Sequence, residues 1–322
     1  MSQPTNVILE SAPCPFQCSS GDEVVCVGSD NLHGMSGQFP VTLCAGCGLM
    51  RTDPRPSPET IGLFYPDNYG PYMSTAPGVE QQDRSRRSPM RMLISKAFRK
   101  VFEFNTTRLP DLPPGEMLEI GCASGSFLDE MAARGWRVRG IEFSTAAAKT
   151  ARARGHHVYS GPLETAPAPD GAFDLVVGWM VLEHLHQPIE GLRKLKGWVK
   201  PGAYLVLSVP NAGSLEFSIF KNNWYALHLP NHLYHFTPDS LELVLRAGGW
   251  RLEKIHHQRV ISNLIGSVGL WLIARGFRRV GGRLVEFPDR SGRWSYLLFP
   301  IAWIFSLAGQ TGRMTVWARA TD

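Results

Sequence analysis

The sequence predicts a doubly wound α/β domain on a mostly parallel sheet of seven strands, preceded by a small cysteine-bearing module. Three observations carry this reading. From about residue 113 onward, short apolar runs alternate with segments of helical period, a pattern that places helices on both faces of a parallel sheet. The first of those runs ends in a glycine turn, LEIGCASGSF, which leads into a helix. Ahead of it, residues 1–73 are rich in Cys, Gly and Pro and hold only short apolar runs.

Taken in order, residues 74–88 (STAPGVEQQDRSRRS) lack apolar periodicity and read as a linker. From Pro89 to about Phe104, Met90, Leu93, Ile94, Ala97, Phe98, Val101 and Phe102 recur at helical spacing among basic residues, predicting a basic amphipathic helix. The stretch 74–112 thus joins the module at 1–73 to a main domain at 113–322. In that domain Met117–Ile120 reads as a strand, Phe127–Arg134 as a helix ended by Gly135, and Arg137–Ile141 as a strand. Thr145–Arg154 follows as a helix, then His157–Tyr159 and Phe173–Val177 as strands, Ile189–Val199 as a helix and Ala203–Val209 as a strand. A helix at Ser240–Ala247 and strands near Arg251–His256 and Arg313–Ala318 complete the set, with a helical insertion at 263–310 before the last strand.

Composition narrows the function. A hydrophobic content of 43% in 322 residues supplies a sizeable core. The net charge of +5 is too small an excess to indicate nucleic acid. The N-terminus shows no basic region followed by an apolar stretch, and no apolar run approaches the ~20 residues of a membrane span. A cytoplasmic protein is expected. Four of the six cysteines fall in two close pairs, which in that compartment suggests metal rather than disulfides.

Ligands of such sheets bind beyond the carboxyl ends of the strands. Glycines at 121 and 125 let the backbone approach a ligand, and the helix behind them offers free N–H groups. The next strand ends in Glu142, placed to accept from two ribose hydroxyls. A dinucleotide fingerprint needs a third glycine that Gly121-Cys122-Ala123-Ser124-Gly125 lacks. The loop, with Glu119 ahead of it and Ala123 at the middle glycine, resembles the first motif of class I S-adenosylmethionine-dependent methyltransferases. IEFS at 141–144 and FDLVVGWMVLEHL at 173–185 extend the resemblance over roughly residues 115–255. It implies a Rossmann-like fold with S-adenosyl-L-methionine as co-substrate. Glu119, Gly121, Cys122, Ala123 and Gly125 would hold the methionine moiety, and Glu142, Phe143 and Ser144 the ribose side. Leu163 and Glu164 would take the adenine, and Trp179 and Met180 would lie beside the sulfonium. Cys122 is expected to be a small filler.

In the module, Cys14-x3-Cys18 and Cys44-x2-Cys47-Gly48 offer four thiolates to one structural Zn2+ with no open coordination position. Together with TDPRPSPETIGLFYPDNY, they resemble the zinc-binding segments that precede methyltransferase domains in deoxysugar and cell-surface glycan pathways. That implies a sugar or glycan acceptor, with Tyr65, Tyr69 or Tyr72 near its pocket.

Methyl transfer to a hydroxyl needs a base, and histidine serves near neutral pH. His184 follows Glu183 after the fourth strand, and His228, His232 and His235 lie in WYALHLPNHLYHFTP. That segment resembles the E-H-L-x-Y-F-S motif of nucleotide-sugar C-methyltransferases. His232, Leu233 and Phe236 match; Asn231 replaces the glutamate and His235 the tyrosine. Without that carboxylate, O-methylation with His232 as base fits better, with His184 orienting the acceptor or sharing the proton and His235 as a further candidate. The expected reaction is O-methylation of a nucleotide-linked or lipid-linked sugar; the alternatives are a quinone or phenolic-lipid O-methyltransferase, or a non-catalytic cofactor-binding scaffold. In the insertion, NLIGSVGLWLIARGF and YLLFPIAWIFSLAG are apolar, with Arg275, Arg278 and Arg279 at the end of the first. These features suggest peripheral contact with the inner membrane face.

Overall fold

The computed structural model describes residues 7–31, 34–65, 107–287 and 298–321. The expected linker at 74–88 and basic helix at 89–104 lie outside these residues, as do Tyr69 and Tyr72. The N-terminal module contains β1 (Leu9–Glu10), β2 (Asp22–Gly28), β3 (Phe39–Cys44), β4 (Met50–Thr52) and β5 (Arg55–Pro56). β1 pairs with β5, while β2, β3 and β4 form an antiparallel sheet.

The main domain holds β6 (Glu116–Ile120), β7 (Arg137–Glu142), β8 (His157–Ser160), β9 (Phe173–Trp179) and β10 (Val199–Pro210). Next come β11 (Tyr234–His235), β12 (Trp250–His257) and β13 (Arg313–Ala320). Seven of these form one sheet in the order β12-β13-β10-β9-β6-β7-β8. The strands from β8 to β10 are parallel, and β13 runs antiparallel between β10 and β12. β11 instead pairs with β4, so a strand of the main domain completes the module's sheet.

Successive residues of β6 point to opposite faces, and each face has its own apolar layer. Leu118 and Ile120 share one with Val176, Leu205 and Leu207, covered by helices α3 (Pro188–Lys196) and α5 (Pro238–Ala247). Met117 shares the other with Leu175, Val177 and Val206, covered by α1 (Ser126–Ala132) and α2 (Thr145–Ala153). The module's Phe39, Val41, Leu49, Ile61 and Phe64 belong to the first layer, so module and domain share a core. α3 begins with Pro188 at its first turn and ends at Gly197. It stops short of the expected Val199, because Val199 pairs with Phe173 as the start of β10. α5 begins two residues earlier than expected, since Thr237 and Ser240 form a reciprocal capping box around Pro238.

Between β12 and β13 the insertion forms α6 (Ser262–Ala274), α7 (Arg278–Val285) and α8 (Phe299–Leu307); the short α4 (Leu215–Phe220) follows β10. α6 and α7 cross at a pair of glycines. A Cβ on Gly269 would stand 2.7 Å from the Gly281 carbonyl, and one on Gly281 would stand 2.6 Å from that of Gly269. No helix among the described residues is long and apolar enough to cross a membrane.

Candidate active site

Strand order reverses between β6 and β9, which opens a crevice beyond their carboxyl ends. The loop after β6 enters it in left-handed conformations, with φ of 68° at Gly121, 46° at Ala123 and 84° at Gly125. At Gly121 a side chain is excluded twice over, since a Cβ would also stand 2.4 Å from Val181 Cγ2. The loop is anchored to β7: the amides of Gly121 and Cys122 both donate to the Ile141 carbonyl, at 2.8 and 3.2 Å. The Glu142 carboxylate accepts from the amides of Ala123 (2.8 Å) and Ser144 (2.7 Å), fixing its orientation. Burial raises its pKa in spite of these bonds. Glu119 is more extreme, as burial and then the neighbouring Glu142 push its carboxyl well above the ordinary range. Its Oε2 is buried with no hydrogen-bond partner. A cationic ammonium at this loop would satisfy it, so these residues fit the methionine moiety of S-adenosylmethionine.

The remaining expected cofactor residues divide. Trp179 ends β9 with its ring edge-on to Phe127 at 5.2 Å and its Nε1 unpartnered. Met180 follows at φ 57°, its amide donating to Ser208 O. Both therefore lie at the crevice. Leu163 is buried in a short 3-10 turn, where Glu164 O accepts from Lys194 Nζ at 2.7 Å. Phe143 is exposed, beside the Tyr65 ring, and Ser144 caps α2 through Oγ. The Cys122 side chain is buried in the apolar layer against Gly140, so it is the backbone of Cys122 that lies in the loop. Burial, with Glu119 and Glu142 nearby, pushes its thiol pKa up, which suits a filler and not a nucleophile.

Beyond Met180 the chain makes a 3-10 turn, Leu182–His184, that carries Glu183 and His184 into contact with the loop after β10. His184 Nδ1–H is shared between the Asn231 carbonyl (2.9 Å) and the Tyr65 hydroxyl (2.8 Å). His232 Nδ1–H donates to the Ala226 carbonyl at 3.0 Å. The two rings lie 4.7 Å apart, with His228 beside His232 at 4.9 Å. Since each Nδ1 carries the proton, each Nε2 presents a lone pair, and His232 Nε2 stands 3.9 Å from Glu183 Oε1. Burial lowers His184 to about 4 and holds His232 well below its ordinary value. Burial conversely raises Glu183 to about 8. The sequence reading missed Glu183 as a site residue, though its only signal, the Glu-His doublet after the fourth strand, was in view. His235 is near enough to act electrostatically on His232, and Thr52 Oγ1 links the two, donating to His232 O at 2.7 Å. His235 lies in β11 with Nε2 3.1 Å from Thr52 Oγ1, so the structure gives it a place at the module junction.

In the module, one sulfur from each of Cys14, Cys18, Cys44 and Cys47 lies within 4.8 Å of the others. Gly46 permits this, because a Cβ there would meet the Cys18 side chain at 2.9 Å. Gly48 turns the chain at φ 72°. Burial would raise the Cys44 thiol, but the amides of Cys47 and Gly46 outweigh it and lower the pKa to about 7. Four convergent sulfurs, one already inclined to ionise, fit a tetrahedral zinc.

The ubiquinone biosynthesis O-methyltransferase of Xanthomonas euvesicatoria is 29% identical over 168 residues, covering 48% of this chain and 69% of the relative. The malonyl-[acyl-carrier protein] O-methyltransferase of Serratia marcescens is 30% identical over 152 residues, covering 46% and 58%. A solved S-adenosylmethionine-dependent methyltransferase from Mesorhizobium loti aligns with a TM-score of 0.43 at 18% identity, covering 66% of this chain and 93% of its own. The family model described as a methyltransferase domain matches residues 93–255, half of the chain. By that match the chain belongs to the methyltransferase-domain family and is an S-adenosylmethionine-dependent methyltransferase.

Proposed function

We propose that the protein methylates a ring hydroxyl of a phenolic quinone precursor. The observation that carries this is the Glu183–His184–His232 cluster, set one turn past Met180 at the cofactor end of β9. The relatives named as ubiquinone biosynthesis O-methyltransferases support the acceptor class. The sugar acceptor inferred from the N-terminal segment has no counterpart among them, and the quinone alternative replaces it as the main reading.

S-adenosylmethionine supplies an electrophilic methyl group, so the protein's tasks are alignment and removal of the acceptor proton. Glu119 and the loop from Gly121 to Gly125 hold the methionine end, Glu142 the ribose hydroxyls, and Leu163 with Glu164 the adenine. His232 and His184 handle the acceptor proton from their unprotonated Nε2 atoms. A phenol gives up its proton far more readily than a sugar hydroxyl, which suits imidazoles weakened by burial. Cys14, Cys18, Cys44 and Cys47 hold a structural zinc. Because quinone precursors are lipid-borne, the insertion docks the enzyme on an anionic membrane surface.

Labelled methyl transfer from S-adenosylmethionine to three acceptors tests the proposal: a polyprenyl catechol, a nucleotide sugar and malonyl-loaded carrier protein. Label in the catechol alone is the expected result. Label confined to either of the others, or in none, overturns it.

A further inference from the structure

Glu183 poses a problem that the histidines do not solve. It is fully buried, and both of its carboxylate oxygens lack a hydrogen-bond partner. A buried carboxyl group whose oxygens lack hydrogen-bond partners is costly to keep, and a bound cation would compensate it. The surroundings show what is missing. Asn231 O and Ala226 O hold the Nδ1 protons of His184 and His232, which leaves a lone pair on each Nε2. Ligand atoms of Glu183, His184 and His232 all lie within 4.8 Å of one another, closely enough for one ion to reach all three. A backbone carbonyl behind each imidazole is the arrangement that fixes the tautomer of metal-bound histidines.

We infer that Glu183, His184 and His232 form a second metal site, distinct from the four cysteines, for a first-row divalent cation such as zinc, iron(II) or cobalt(II). Two imidazoles and one carboxylate suit that class better than calcium or magnesium, which prefer all-oxygen shells. Three protein ligands leave coordination positions open, and the partly exposed His184 gives a route in from solvent. The site's catalytic role rests on the acceptor reading above, whereas its existence does not. An acceptor hydroxyl bound to the ion is acidified, since the cation stabilises the oxyanion. The O–H bond then breaks with its proton passing to water. The lone pair left on oxygen forms the new O–CH3 bond as the sulfur takes the electrons of the S–CH3 bond. With the ion bound His184 and His232 act as ligands, and the deprotonation assigned to them above passes to the ion-bound hydroxyl.

Calorimetric titration of the full chain with Zn2+ and Co2+ tests the site, after treatment with a mild chelator that leaves a four-thiolate zinc in place. Wild type is expected to bind about one further ion, and Glu183→Gln to bind it more weakly by at least roughly 10- to 100-fold, with unchanged affinity for S-adenosylhomocysteine. The visible spectrum of the Co2+-loaded wild type decides independently of how any variant folds. Weak ligand-field bands without an intense sulfur-to-cobalt band support nitrogen and oxygen ligands. Absence of saturable binding to wild type, equal affinity in Glu183→Gln, or a thiolate spectrum overturns the inference. Failure to methylate a catechol, by contrast, would leave the ion bound and refute only the acceptor class.

Discussion

The Tyr65 hydroxyl lies 2.8 Å from Nδ1 of His184, a single hydrogen bond that joins the N-terminal module to the cluster of Glu183, His184 and His232. It does not act alone. Asn231 Nδ2 donates to Phe64 O at 2.9 Å, while the amide of Thr52 donates to Leu233 O and that of Leu233 to Glu183 O. The module therefore braces both segments that supply the cluster, the turn after β9 and the loop after β10. A metal that orders the module also orders the carbonyl and hydroxyl that set the tautomer of His184.

For the cofactor, S-adenosylhomocysteine is expected to bind and raise the melting temperature by mass action. Glu142→Ala should weaken it, because the ribose hydroxyls lose a charged acceptor worth ~1.5–3 kcal/mol. Calorimetry reads both. Binding of NADH in place of S-adenosylhomocysteine would contradict the assignment of the loop.

For the cysteines, purified protein should retain about one chelator-resistant zinc per chain, and Cys44→Ser should lose it. Through Tyr65 and Asn231 the same variant should lose turnover while keeping most of its cofactor affinity. Metal analysis well below one equivalent in anaerobically purified wild type would remove the zinc assignment.

Much of this was legible in the sequence, for reasons that differ by region. The central strands were readable because both faces of β6, β9 and β10 are buried, so their apolar runs stand out from the helices around them. Gly121 and Gly125 were readable because few other residues tolerate their backbone. The partner of His232 was not. The sequence motif lacks a carboxylate at Asn231, yet the fold brings Glu183 to His232 from a different element, 49 residues earlier in the chain. Pairing of β11 with β4 was hidden for the same reason, since a two-residue strand carries no period and its partner lies far away in sequence. The contact of His235 with Thr52 was hidden for the same reason.

For the chemistry, His232→Ala should cut turnover by about 10²- to 10⁴-fold, the usual value of a group that handles the acceptor proton. Cofactor affinity should stay constant, because no contact of His232 reaches the glycine loop. His235→Gln should retain turnover within a few-fold. Near-normal turnover in His232→Ala, or a larger loss in His235→Gln, would reverse these assignments.

His235 should instead govern acid stability. It is buried, and burial lowers its pKa from the ordinary 6.5 to about 3. A base with a depressed folded pKa stays neutral in the native state while the unfolded chain takes up a proton. Its contribution is therefore fully present above about pH 6.5 and is lost progressively as the pH falls towards about 3. The loss between pH 7 and pH 4.5 is on the order of 1–3 kcal/mol. Denaturant melts at a series of pH values check this: wild type should weaken on acidification, and His235→Gln should show a shallower slope. Equal slopes would show that His235 titrates alike in both states.

The last prediction concerns the insertion. α8 leaves much of its apolar surface exposed, with Ile301, Trp303, Ile304 and Leu307 outside the core, whereas α6 is mostly buried or half-buried and exposes Trp271 near its C-terminal end. The Arg275 guanidinium covers the Trp271 ring at 3.7 Å, and α7 adds Arg278, Arg279 and Arg283. Aromatic and aliphatic side chains flanked by arginines match the boundary between acyl chains and anionic headgroups. Each basic side chain near such a surface contributes roughly 1 kcal/mol, and the attraction is screened by salt. The protein should therefore float with vesicles containing anionic lipid at low salt and be released at high salt. Vesicles of neutral lipid should capture less. The paired substitution Trp303→Ser and Leu307→Ser should reduce flotation without lowering the melting temperature, because both residues already face solvent. If wild type stays in solution with anionic vesicles at low salt, the exposed face serves another purpose. If the paired substitution unfolds the protein, that face belongs to the core.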